Sequence, residues 1–316
     1  RGNSSIREFC AQYNVPFFPS GKLIVACDAN GAETLELYRK RSEENGVKGV
    51  SIIGSRAVKR LEQNVECRAA LYSPRDGIID AASYLAALEK AAVEAGVVIL
   101  KKSRIVRIEP AGGCFATSVD APDEAYDFMA DAIVNAAGLY AEEIAAMLGS
   151  AGIFQRQLLR GEYCLFNSAK RKELFFNGSV VDPVPQFLEE DGKKYMTLGV
   201  HLTPTFEMAR NGFIGLGKMV LVGPTADLAE RRDDYSENRH PPEYFLEKIL
   251  PFFPGINLED LNPGGYCGIR AKFNLLPDDF VLQRDKAYHN CIHCFADSPG
   301  LTSSLAIGRY VCEKFF

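Results

Sequence analysis

The 316-residue chain is 47% hydrophobic and 24% charged, a balance that suits one large globular core or two modest ones. Its net charge of -5, with basic residues scattered along the sequence, argues against nucleic acid as the main partner. No stretch reaches the ~18 consecutive apolar residues of a membrane span. The opening Arg1-Gly-Asn-Ser-Ser-Ile-Arg-Glu8 lacks the apolar core of an export signal. Nine cysteines without such a signal point to free thiols in a reducing compartment, the cytoplasm.

In chain order, residues 4–13 read as a helix, Lys22–Cys27 as a strand, and roughly 32–45 as a helix ended by Gly46. A further helix is expected to start at the cap Ser55. From Ser73 the rhythm changes. Asp80 stands as the N-cap of a helix whose Leu85, Leu88 and Ala92 share one face, and Gly96 ends it. Val97–Leu100, Arg104–Ile108 and Ala132–Ala137 read as strands, the last turning at Gly138 into a helix over 140–148. Unbroken apolar strands alternating with helices mark a sheet covered on both faces.

Between about 151 and 274 the strands Leu158–Phe166, Tyr195–Leu202 and Met219–Gly223 are separated by turn-rich linkers, among them Asp182–Pro185 and Asn211-Gly212. That pattern is largely antiparallel, with a helix near 241–250. After Arg270, a strand at Cys291–Ala296, a tight loop and a helix restore the earlier rhythm. The expected fold class is α/β, or α+β overall. A layered nucleotide-binding-like domain (73–150 and 275–316) interleaves with a mostly antiparallel substrate domain (1–72 and 151–274).

Ser298-Pro-Gly-Leu-Thr-Ser-Ser-Leu-Ala-Ile-Gly308 is the most informative run. Its loop-to-helix pattern aims backbone N–H groups and a positive dipole end at whatever lies above, so an anionic or electron-rich ligand suits it; a hydroxyl-capped surface helix is the alternative. Val134-Asn-Ala-Ala-Gly138 is small enough for a flat ligand to reach the backbone, or for a tight packing turn. Gly212-Phe-Ile-Gly-Leu-Gly217 lacks strand–loop–helix context and reads as a hairpin or bulge. Cys291 and Cys294, beside His289 and His293, would face opposite sides of a strand, with no second Cys-x-x-Cys pair. No metal centre is expected. His201 on a strand is either structural or a base, and Arg270 either clamps a carboxylate or forms an inter-domain ion pair.

Gly21–Cys27, Ser73–Asp80, Val134–Gly138, Arg160–Tyr163, Gly199–Thr203, Val222–Pro224, Gly268–Arg270 and Ser298–Ser304 form an ordered set. In that set the chain resembles the FAD-dependent oxidoreductases of the D-amino-acid-oxidase superfamily, and within it the L-2-hydroxyglutarate oxidase/dehydrogenase branch. The resemblance implies FAD at a domain junction, with Ile105 by the adenine and Ala136, Ala137 and Gly138 along the diphosphate–ribose region. It implies Ser298, Pro299, Gly300, Leu301, Thr302 and Ser303 at the flavin end. Arg270 would hold the substrate carboxylate, with Tyr163 and Thr203 also binding substrate. His201 would take the hydroxyl proton as a hydride passes to flavin N5, converting L-2-hydroxyglutarate to 2-oxoglutarate.

Amino-acid or amine oxidation on the same scaffold is one alternative, and a catalytically silent, FAD-free fragment or assembly subunit is another. The family pattern opens with strand–Gly-x-Gly-x-x-Gly–helix and an acidic residue, which this sequence does not contain. Its first residues match a point some tens of residues into the pattern. The nucleotide-binding domain is therefore expected to be incomplete at its N-terminus, with self-association or a second chain covering the missing strand. Peripheral membrane association is compatible with the resemblance.

Overall fold

The computed structural model describes residues 2–150, 152, 156–190, 193–197, 199–208, 214–235, 239–273 and 279–316. Its largest sheet has eight strands in the order Leu261–Asn262, Cys164–Asn167, Ile214–Gly223, His201–Met208, Val180–Pro183, Lys22–Ala26, Ala69–Ser73 and Ser51–Gly54. All pairings are antiparallel except that of Val180–Pro183 with Lys22–Ala26. One row of register partners runs Leu23, Val181, Leu202, Val222, Cys164 across five strands, and every member is buried. Helix Pro242–Ile249 covers this face with Phe245 and Ile249, followed by Phe252 and Phe253. Phe253 meets the rings of Phe166 and Phe176 edge-on at 6.0 and 6.3 Å. Each such buried side chain contributes about 1.5–3 kcal/mol.

Because strand side chains alternate, the face opposite this core carries His201 and Thr203, which flank Leu202. The stretch 158–166, expected as one strand, breaks at Tyr163. Arg156–Glu162 pairs instead with Asp227–Ala229 and Cys267–Phe273 in a separate three-stranded sheet, and Cys164–Asn167 enters the large one. The break is held where the Tyr163 N–H donates to the Tyr266 carbonyl at 3.1 Å. Gly265 packs so closely there that a Cβ would fall 2.0 Å from the Tyr163 oxygen. The stretch 195–202 is likewise divided, between Lys193–Thr197 and His201–Met208. Of the segment Gly212–Gly217, the first two residues and the turn Asn211-Gly212 lie outside the described residues; Ile214 begins a strand.

The α/β part contains a three-stranded sheet of Val281–Arg284, Cys291–Phe295 and Ile133–Asn135, the last two parallel with His293 opposite Asn135. Arg104–Ala111, Cys114–Asp120 and Tyr126–Ala130 form an antiparallel meander. Helix Ala81–Glu94 is capped by Asp80, which accepts from the Ser83 N–H at 2.7 Å. On the large sheet, helix Ala29–Glu44, capped by Asp28, packs Leu35 against Ala26 and Leu71. The helix expected to be capped by Ser55 has Gly54 at that position, with Ser55 its first residue. Helix Gly2–Tyr13 shares a core with Ala81–Glu94 through Ile6, Cys10, Tyr84 and Ala87. A Cβ on Gly2 would fall 2.8 Å from the Thr302 carbonyl, so this first helix also lies tight against Gly300–Phe315.

Two expectations fail in this part. Val97–Leu100 forms no strand, and Val98 is 80% exposed. An apolar run becomes a strand only where a partner backbone pairs with it, and among the described residues none does. Leu85 is exposed too, because Ala81–Glu94 buries the face of Tyr84 and Ala87 against the first helix. Among the described residues no helix is long and apolar enough to cross a membrane.

These placements separate two leucines of similar chemistry. Leu202→Ala is expected to lower unfolding free energy by about 2–5 kcal/mol, whereas Leu85→Ala stays within about 0.5 kcal/mol of wild type. Urea denaturation of the two variants makes the comparison.

Candidate active site

The C-terminal helix begins where strand Cys291–Phe295 ends, and the short loop between them forms one wall of a cleft of about 600 Å3. Ser298, Pro299, Gly300, Leu301 and Thr302 line this wall. Gly138 and Leu139 supply a second wall, and Ile269, Arg270 and Ala271 a third. Gly138 and Leu139 thus meet two segments from the C-terminal end of the chain around one space. Pro299 occupies the N-cap and has no side-chain acceptor to offer the first-turn amides. The positive end of a 16-residue helix therefore opens on the cleft.

The neighbouring turn is equally open. Gly138 adopts φ +53° with empty space where a Cβ would stand, and Ala136 and Ala137 are exposed before it. A flat, electron-rich cofactor fits this combination of bare backbone and helix dipole. Ser303 lies one step further into the helix, its N–H donating to the Pro299 carbonyl at 3.1 Å. Ile105 is elsewhere: it packs beside Ile108, Phe115, Leu148 and Cys291 in an apolar cluster and does not line the cleft.

His201 and Thr203 stand on the large sheet and are not among the residues lining the cleft. The His201 Nδ1 lies 3.0 Å from the Gly199 carbonyl. A carbonyl can only accept, so Nδ1 carries a hydrogen, and in the neutral ring Nε2 is the acceptor. Gly223 is the register partner of His201. At its φ of +147°, a Cβ would fall 2.5 Å from the Glu162 carbonyl and 2.8 Å from the Tyr163 ring. Only glycine fits between His201 and Tyr163.

Tyr163 links this sheet to the cleft. Its ring stacks on Tyr266 with centroids 4.5 Å apart. Burial pushes its hydroxyl well above the ordinary tyrosine range; Tyr266 adds to the rise, and the positive charge of Arg270 opposes it. Tyr163 is therefore a persistent hydrogen-bond donor that feels Arg270. Below the pair, buried Glu162 holds Arg160 at 2.9 Å and accepts from the His240 N–H at 2.8 Å. Arg239, an ion-pair partner of Glu162 at 3.8 Å, donates to the Gly265 carbonyl at 3.1 Å. Sequence reasoning assigned no role to Tyr266, Gly223 or Glu162. The signal was the single glycine of Val222-Gly-Pro224 and the pair in Gly264-Gly-Tyr266, which mark places where backbones approach closely.

Behind the cleft lies a buried polar network. The His293 Nε2 is 3.0 Å from Asp285 Oδ2, and its Nδ1 is 3.2 Å from the Asn135 amide nitrogen. Asp285 also accepts from the Ser150 hydroxyl and from the Ala287 and Tyr288 N–H groups. Burial works against the Asp285 charge, but these hydrogen bonds outweigh it and hold the carboxyl below its ordinary value. The cysteines have no such support: burial pushes the Cys67 and Cys164 thiols up to about 11 and Cys291 up to about 12. Those three are poor nucleophiles at neutral pH.

The family model described as FAD dependent oxidoreductase matches residues 1–314. The chain is 28% identical to the mitochondrial L-2-hydroxyglutarate dehydrogenase of Arabidopsis thaliana, covering 100% of this chain and 70% of that protein. It is 27% identical to the L-2-hydroxyglutarate dehydrogenase of Indibacter alkaliphilus, with 99% and 81% covered. The glycerol 3-phosphate dehydrogenase of Caloramator mitchellensis is 28% identical, with 99% and 60% covered. Among solved structures, FAD-bound L-alpha-glycerophosphate oxidase from Mycoplasma pneumoniae superposes with a TM-score of 0.75 at 21% identity, over 99% of this chain and 78% of that one. At that identity the likeness is one of fold.

Two outcomes follow from the geometry. Gly223→Ala is expected to cost about 1–3 kcal/mol through backbone strain and the clash with Glu162, read as a fall in Tm. Asp285 has a lowered folded pKa, so its contribution is fully present above its unfolded value of about 3.9 and is lost as pH falls through the folded value. Asp285→Asn should therefore be less stable than wild type by about 1–3 kcal/mol at pH 7. The gap should narrow on acidification, as followed by urea denaturation at stepped pH.

Proposed function

We propose that this chain, which belongs to the family of FAD-dependent oxidoreductases, oxidises a 2-hydroxy acid, L-2-hydroxyglutarate, to 2-oxoglutarate. The observation that carries the reading is the meeting of Arg270 with Gly138 and the Ser298–Thr302 helix start around one cleft. The similarity to L-2-hydroxyglutarate dehydrogenases over nearly the whole chain supports the choice of substrate. When bound, FAD supplies the hydride acceptor.

The chain's own residues would then divide the work. Arg270 presents a guanidinium whose planar fork suits a carboxylate. His201, with Nδ1 fixed on the Gly199 carbonyl, offers Nε2 to take the proton of the substrate hydroxyl. Tyr163 stays protonated and donates to a substrate oxygen, and Thr203 shares the face of His201. Ser298–Ser303 and Ala136–Gly138 bind the cofactor, and the helix start favours negative charge arriving in the cleft.

The test begins with the purified chain and added FAD. Retained flavin that is bleached anaerobically by L-2-hydroxyglutarate supports the reading, and a colourless protein overturns it. Bleaching by amino acids or glycerol 3-phosphate, with none by the hydroxy acid, overturns the substrate. In the active protein, Arg270→Ala should raise KM about 10–100-fold, as expected for loss of a charged hydrogen-bonded contact worth about 1.5–3 kcal/mol. His201→Asn should slow flavin reduction about 10²–10⁴-fold with little change in substrate binding.

A further inference from the structure

The buried network behind the cleft joins the two strands that lead into two of its walls. His293 and Asn135 are direct register partners in the parallel pair of Cys291–Phe295 and Ile133–Asn135. The first of these strands runs on into the Ser298–Thr302 wall, and the second into the Ala136–Gly138 turn. Both side chains are buried, His293 completely.

The hydrogen-bond roles in this pair are determined by groups that can act in only one way. The Asn135 amide nitrogen donates to the Ala141 carbonyl at 2.8 Å, and its oxygen accepts from the Ala137 N–H at 3.3 Å. A backbone carbonyl cannot donate and a backbone N–H cannot accept, so the carboxamide has one orientation. Its nitrogen therefore faces His293 Nδ1 as a donor, and Nδ1 must accept. On the other side, Asp285 presents a carboxylate oxygen to Nε2, which must donate. One tautomer, hydrogen on Nε2 and lone pair on Nδ1, satisfies every member.

We propose that His293 is a positioning residue for the cofactor-facing turn. The Asp285-anchored imidazole holds the Asn135 carboxamide, and that carboxamide holds the Ala137 N–H and the Ala141 carbonyl, fixing Ala136–Gly138 against the helix-start wall. The inference rests on the proposed function only in taking this turn to face FAD. The alternative is that His293 is a well-packed core residue whose loss loosens the whole domain evenly.

Two measurements on the chain without cofactor test this, the first whether the hydrogen-bond chain exists and the second which reading holds, so their outcome is independent of whether flavin binds. In the wild-type protein, 15N shifts of the His293 ring at pH 7 should report hydrogen on Nε2 and a bare Nδ1. A ring protonated on Nδ1, alone or together with Nε2, overturns the proposal. In His293→Leu, amide exchange at residues 136–139 should rise at least about tenfold, which corresponds to about 1.4 kcal/mol, relative to exchange in strand Val281–Arg284. Equal acceleration in both places, or none at 136–139, overturns it. If the variant does not fold, the ring measurement still stands as the test. With flavin added, the same variant should weaken FAD binding about tenfold; if only the wild type's flavin binding fails, the functional reading falls and the positioning role remains.

Discussion

Leu23, Val181, Leu202, Val222 and Cys164 form one buried row across five strands, and the rest of the molecule is arranged by that register. Side chains alternate along a strand, so a slip of one residue would turn the buried row outward and bring its neighbours into the core. Helix Pro242–Ile249 and the phenylalanines after it seal this face, making such a slip costly. His201 is adjacent to Leu202, so its emergence on the opposite face is a consequence of the core. Gly223 and Tyr163 are carried to the same end of the sheet by the same pairing.

The cleft depends on a second kind of constraint, close approach of backbones. Gly265 against Tyr163 and Gly223 against Glu162 leave no room for a Cβ. These contacts let the chain leave one sheet at Glu162 and enter another at Cys164. The strand carrying Arg270 pairs with the first of those segments, so the switch at Tyr163 places the guanidinium wall beside the helix-start wall. Buried Glu162, with Arg160, Arg239 and the His240 N–H around it, steadies the switch. Removing one member would leave charge without compensation in a dry environment.

Stability and site geometry meet again behind the helix start. A buried carboxylate, an imidazole and a carboxamide are costly to desolvate, and their cost is offset only when each polar atom has a partner of the right kind. The Asp285–His293–Asn135 chain meets that condition with backbone groups of the turn itself. A core built only from apolar residues would hold the strands together without specifying the orientation of the Ala136–Gly138 turn.

Much of this was legible in the sequence. The apolar run in Lys22–Cys27, the cap at Asp80, the stop at Gly96 and the strand–loop–helix at 291–308 are local, and local rules of sterics and hydrogen bonding determine them. The candidate residues Gly138, Arg270 and Ser298–Thr302 were visible one by one for the same reason. Their meeting around one site was implied by the family resemblance alone; no local pattern carries it, because it depends on pairings between segments more than a hundred residues apart. Val97–Leu100 shows the same limit from the other side: its composition suits a strand, but a strand also needs a partner backbone. Sequence alone determined the helix caps and stops, most of the strands and the chemical types at the site. Tertiary structure decided which elements pair, which face each side chain takes and which buried polar groups satisfy one another, since each of those is a property of two segments and neither one alone specifies it.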